Sequence, residues 1–217
     1  MALIYTKGYD KEPDAVLVLA HGAGAPADSD FMESLANTLD GLGVACVRFE
    51  FPYMRKRRQD GRKRPPDRQP VLVSRFSEVL DEIRDVVRED LGERCPVLVG
   101  GKSMGGRMAS ILASERSGMD AVVCFGYPFH PPGKPDRWRT GHFPDIRCPM
   151  LIVQGTRDPF GKPGEVQARR SELALAHVHW LDGGNHDFQP LARQKQSQAS
   201  LIAEAARQTR AFIDALR

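Results

Sequence analysis

The chain has no run of about 18 apolar residues, the length a helix needs to cross a bilayer, so a membrane-spanning protein is not expected. Cysteine is scarce, with one each at positions 46, 95, 124 and 148. They form no C-x-x-C pair and have no zinc-type spacing, which excludes a disulfide framework and a structural zinc site. They read as small buried hydrophobes in a reducing compartment. A large excess of one charge is also missing, since 31 Lys and Arg stand against 28 Asp and Glu. A general nucleic-acid-binding role is therefore not expected. The first ten residues, Met1 to Asp10, lack the basic region, apolar stretch and cleavage site of a leader, so the expected location is cytoplasmic. There are no internal repeats.

What is present is ordinary globular composition, 41% hydrophobic and 27% charged over 217 residues, which suits one domain over 1–217 with a sizeable core. Six short apolar runs recur: Ala15–Ala20, Val44–Phe51, Val97–Gly100, Ala121–Gly126, Met150–Gln154 and Val178–Leu181. Continuous apolarity over four to eight residues is the signature of parallel strands covered on both faces. Amphipathic patterns alternate with them, most clearly the stripe from Val71 to Leu91 and the terminal one from Leu201 to Leu216. The alternation predicts an α/β fold with a mostly parallel central sheet and helices on both faces. In such a sheet, ligands bind beyond the carboxyl ends of the strands.

Four of those strand ends carry chemistry. Gly101-Lys102-Ser103-Met104-Gly105 is a G-x-S-x-G between an apolar run and a helical pattern, the frame of a nucleophile elbow. It also resembles the tail of a phosphate-binding P-loop. The leading glycine of that motif would fall at Pro96, which has no N–H to give a phosphate, and Val97-Leu98-Val99 reads as strand. The P-loop reading fails. Asp158 follows the strand ending at Gln154, and His186 follows the strand ending at Leu181. Ser103, Asp158 and His186 thus occur in the chain order of an α/β-hydrolase triad. Serine needs a base within reach, histidine exchanges a proton near neutral pH, and the aspartate holds the imidazole in the right tautomer. Asp182 and Asp187 compete as acids but share the histidine's loop; His21, His130, His142, His177 and His179 compete as bases. The fourth loop, His21-Gly22-Ala23-Gly24-Ala25-Pro26, is an H-G-x-x turn. Its expected contribution is the Ala23 N–H as one oxyanion donor, the Met104 N–H being the other. His21 is expected to brace this loop.

Nearly all excess positive charge falls in residues 52–68, with eight Lys and Arg against two Asp, which leaves the remainder slightly acidic. This stretch is expected to be a loop beside Ser103. Arg55, Arg57 and Arg58, aided by Lys102, would then receive an anionic group on the substrate. The alternative expectation is a non-catalytic binding or scaffold module that uses the same basic loop. Residues 127–149 are too short to fold as a cap domain, so an open site is expected.

Val-Leu-Ala-His-Gly-Ala-Gly-Ala, Phe-Glu-Phe-Pro-Tyr-Met, Gly-Gly-Lys-Ser-Met-Gly-Gly-Arg, Gln-Gly-Thr-Arg-Asp-Pro-Phe-Gly and Gly-Gly-Asn-His-Asp-Phe follow one another along the chain. Together they resemble the Tex30/KANL3-like group of small α/β-hydrolases and, more distantly, the dienelactone hydrolase-like proteins. The resemblance covers essentially the whole chain. It implies a lidless serine hydrolase fold carrying the triad, and little about the substrate. The triad's own mechanism is what predicts cleavage of an ester or related acyl bond in a small-molecule substrate, without metal or organic cofactor. Dienelactone hydrolases proper use cysteine as nucleophile, where this chain has serine. Some relatives of the group resemble scaffold subunits, so the fold by itself does not establish activity.

Overall fold

The computed structural model describes residues 3–216; the ends of the expected 1–217 domain, residues 1, 2 and 217, lie outside it. Seven strands form one sheet: β1 (Ile4–Tyr5), β2 (Ala15–Ala20), β3 (Val44–Phe49), β4 (Val97–Lys102), β5 (Ala121–Phe125), β6 (Met150–Gly155) and β7 (Ala176–Leu181). Their order is β1-β3-β2-β4-β5-β6-β7, and all neighbours are parallel except β1 against β3. The mostly parallel α/β architecture is as the sequence predicts.

The alternation within β2 explains why its run is wholly apolar. Val16, Val18 and Ala20 face one core, while Ala15, Leu17 and Leu19 face the other. The first core is closed by α3 (Gln69–Asp90) and α4 (Met104–Glu115), through Phe76, Val79, Leu80, Ile83, Met108 and Leu112. The second is closed by α1 (Asp30–Asp40) and α6 (Gln198–Asp214), through Met32, Leu35, Leu201, Ile202 and Ile213. A strand buried on both sides has no polar face to offer, and each fully buried Leu or Val contributes about 1.5–3 kcal/mol.

Strand limits shift by one or two residues: β3 stops at Phe49, β4 runs on to Lys102, and β7 begins at Ala176. The expected basic loop requires a larger correction. Residues 52–60 form a helix, α2 (Pro52–Asp60), and only 61–68 is irregular. Pro52 opens the helix and Gly61 closes it in the left-handed conformation at φ 70°. Tyr53 and Met54 are its only buried residues, so it has no apolar stripe for a sequence reading to find. No cap domain covers the sheet edge. Residues 127–149 instead pack down as an aromatic cluster of Tyr127, Phe129, Trp138 and Phe143.

Candidate active site

Ser103 ends β4 and starts α4 with φ 53° and ψ −115°, a strained conformation for a residue with a side chain. Two contacts hold it: its N–H donates to the Phe125 carbonyl at 2.9 Å, and its carbonyl accepts from the Arg107 N–H at 3.0 Å. The turn closes because Gly105 passes against β2; a Cβ there would stand 2.4 Å from the Ala20 carbonyl oxygen. This close approach is the physical reason for glycine two residues beyond the serine.

The structure brings Asp158 and His186 to the same place. His186 Nε2 lies 2.9 Å from Ser103 Oγ, and Nδ1 lies 2.8 Å from Asp158 Oδ2. With the Nδ1 proton on the carboxylate side, the Nε2 lone pair faces the serine hydroxyl. Asp158 is fully buried, and its carboxylate accepts two further hydrogen bonds, from the Phe160 N–H at 2.9 Å and from Gln154 Nε2 at 3.0 Å. The Phe160 ring lies 4.3 Å from the imidazole, tilted by 35°, and restricts its rotation. Gly155 makes the geometry possible, since a Cβ there would meet the Gly184 carbonyl oxygen at 2.3 Å and push the His186 loop away.

Lys102 does not face a substrate as expected; it is buried and turned inward. Its Nζ donates to the His186 carbonyl at 2.7 Å and pairs with Asp187 at 3.2 Å, while burial lowers its pKa. The lysine therefore supports the histidine loop, and Asp187 is committed to it.

The 22–24 loop lies across the elbow. A Cβ on Gly22 would sit 3.7 Å from Ser103 Cβ, so Gly22 packs against the serine. The first-turn N–H groups of α4, Met104's among them, have no intrahelical acceptors. His21 is buried and braces the loop, as expected. Its Nε2 accepts from the Phe51 N–H at 3.1 Å, and its Nδ1–H donates to the Gly22 carbonyl at 2.7 Å. Nε2, accepting an N–H, carries no proton, and burial lowers the ring's pKa in the same sense. Tyr53 adds a brace the sequence did not suggest, its buried hydroxyl donating to the carbonyls of Ala23 at 3.0 Å and Gly22 at 3.3 Å.

The other basic residues are largely occupied. Arg57 donates to the Gly24 carbonyl at 3.1 Å, Arg58 pairs with Asp28 and Glu50, and Arg55 lines a hollow with Ile4, Asp28 and Phe49 toward the β1 edge. The competing histidines are engaged too: His130 with Glu165, His142 with Ser110 and His179 with Glu204. Sequence reasoning also missed Gln154, whose signal is a polar side chain ending an otherwise apolar strand. Among the described residues, no group of three His, Cys, Asp or Glu is placed to hold a metal ion. A concavity of about 500 Å³ lies at the opposite edge, around Val97, Gly118 and Asp120, away from the strand ends where α/β sheets bind ligands. No described helix is long and apolar enough to cross a membrane.

Residues 13–214 match the family model described as an alpha/beta hydrolase domain. Among solved structures, Est1E from Butyrivibrio proteoclasticus is similar at 15% identity and TM-score 0.71, over 98% of this chain and 94% of that one. Dienelactone hydrolase from Anabaena variabilis is similar at 20% identity and TM-score 0.68, over 94% and 88%. A protein from Xanthomonas campestris, described as an α/β serine hydrolase without lid, is similar at 17% identity and TM-score 0.65, over 92% and 83%.

Proposed function

The chain belongs to the α/β-hydrolase family, and from that premise we propose that it is a serine hydrolase cleaving an ester or related acyl bond through an acyl-enzyme. The observation that carries this reading is the unbroken relay Ser103 Oγ–His186–Asp158, with links of 2.9 and 2.8 Å, set on a strained elbow. Ser103 attacks the acyl carbon while His186 Nε2 takes its proton. The tetrahedral oxyanion receives the Ala23 and Met104 N–H groups. Collapse expels the alcohol or thiol, which His186 protonates. Water then enters, gives its proton to His186 and releases the acid, restoring Ser103. Asp158 keeps the imidazole in the productive tautomer and stabilises its cation. The sequence consumes water alone and calls for no cofactor.

Est1E is described with ferulic acid bound, and other similar structures are named esterase or hydrolase. These names favour carboxylesterase or thioesterase chemistry, as does the motif resemblance to the Tex30/KANL3-like group. The absence of a cap favours an open site for a small-molecule acyl substrate in a single domain over 1–217. Cys46 and Cys124, buried within strands and outside any disulfide, suit a cytoplasmic setting. Turnover of 4-nitrophenyl butyrate tests the reading: Ser103→Ala is expected to lose about 10³-fold or more of kcat. Equal turnover by the two proteins rules it out.

A further inference from the structure

Several partly buried guanidiniums here meet a carboxylate: Arg75 meets Glu78, Arg116 meets Asp81, and Arg210 meets Asp14 and Asp214. Arg107 and Arg139 do not. Arg107 stands one turn along α4 from the serine. One Nη donates to the neutral amide oxygen of Gln69 at 3.2 Å, and its buried Nε has no partner. Arg139 comes from the segment that follows β5. Its backbone is fixed, with its N–H donating to the Phe129 carbonyl at 2.8 Å and its carbonyl accepting from the Tyr127 hydroxyl at 3.0 Å. Among the described residues, no carboxylate pairs with either guanidinium.

The two arms are tied together and to the site. Tyr127 Oη lies 3.4 Å from Ser110 Oγ, which donates to the Arg107 carbonyl at 2.9 Å and lies 2.8 Å from His142 Nε2. Tyr127 directly follows Gly126, where a Cβ would stand 3.4 Å from His186 Nδ1. Both arginines are thus carried by segments that leave the Ser103–His186 pair. The local field is positive: burial and then Arg107 lower the pKa of Arg139, and the same two causes push His142 down to about 4. Two half-buried guanidiniums without a carboxylate form a site that an oxyanion relieves.

We propose that Arg107 and Arg139 form an anion subsite beside Ser103, and that the natural acyl substrate carries a second oxyanion group, a carboxylate or a phosphate. The subsite rests on the hydrogen-bonded segments that carry the two arginines and on the buried, unpartnered Arg107 Nε; the substrate clause also rests on Ser103 being the nucleophile. This relocates the anionic recognition expected of residues 55–58.

The test has two arms. In the first, Ser103→Ala protein is titrated calorimetrically with monomethyl glutarate and, separately, with inorganic phosphate. At least one is expected to bind, and to bind about tenfold more weakly after Arg139→Gln or Arg107→Gln, but not after Arg88→Gln on the far end of α3. Whichever binds identifies the group. In the second arm, the ratio of kcat/KM for 4-nitrophenyl hemiglutarate to that for 4-nitrophenyl butyrate is measured. It is expected to fall about tenfold in the same two variants. No binding of either anion, or the same affinity in all variants, overturns the subsite. Binding that is lost in the variants, without turnover of any ester, upholds the subsite and overturns the hydrolase reading. Circular dichroism verifies the fold of Arg107→Gln, and Arg139→Gln repeats the test from the other arm.

Discussion

Two positively charged regions flank the candidate site, and they are charged in different ways. Helix α2 and its tail hold eight basic residues, three of them with side chains answered by acceptors: Arg58 by Asp28 and Glu50, Arg64 by Asp60, and Arg57 by the Gly24 carbonyl. The pair Arg107 and Arg139 is sparse in sequence and has no carboxylate in answer among the described residues. Charge density along a chain counts residues, whereas the field at a site depends on which charges remain uncompensated. In this molecule the dense region acts as scaffold. It holds the 22–24 loop through Tyr53 and Arg57, whereas Arg107 in the sparse region stands one turn along α4 from Ser103.

The largest effect expected near the site comes from Asp158→Asn. An amide in place of the carboxylate removes the acceptor for His186 Nδ1–H and permits the unproductive tautomer, so kcat should fall about 10³- to 10⁴-fold in an ester assay with little change in melting temperature. The scaffold role of α2 is tested by Tyr53→Phe, which deletes only the hydroxyl on the Ala23 and Gly22 carbonyls. A loosened 22–24 loop should lower kcat about 3- to 10-fold for a neutral ester and leave KM within twofold if it holds the proposed oxyanion donor. A change in KM alone would assign Tyr53 to substrate contact instead.

The uncompensated side predicts a pH effect. His142 has its pKa lowered to about 4, so between pH 6.5 and about 4 the unfolded chain takes a proton that the folded one refuses. The stability that neutral His142 allows is therefore complete above pH 6.5 and declines as pH falls through that window. Thermal melts should show this decline, and it should be shallower in His142→Asn. Arg107→Gln should raise the histidine's titration midpoint in an NMR experiment, because Arg107 is the second cause after burial. The smallest expected effect is that of Arg58→Gln. This exposed pair contributes about 1 kcal/mol or less to stability, and the anionic-to-neutral ester ratio should stay as in the wild type. A fall in that ratio would return anionic recognition to α2.

Much of the site is legible in the sequence because its chemistry lies at strand ends. Ser103, Asp158 and His186 each follow an apolar run, and a parallel sheet brings successive carboxyl ends to one edge whatever the packing details. Gly101 and Gly105 mark the elbow by spacing alone. Three features were not legible, each for its own reason. β1 has two residues, too few for any periodicity. Helix α2 has no apolar face, although Pro52 and Gly61 punctuate it. The turning of Lys102 into the His186 loop, and the lack of a carboxylate partner for Arg107, are facts about which side chains meet. A single sequence does not encode those pairings in any local pattern.

Covalent labelling of the folded protein with a fluorophosphonate, mapped by peptide mass spectrometry, tests the central claim most directly. The relay through His186 and Asp158 predicts one adduct, on Ser103, lost in Ser103→Ala and strongly slowed in His186→Ala. No adduct on the folded wild type, or an adduct on another residue, would contradict it.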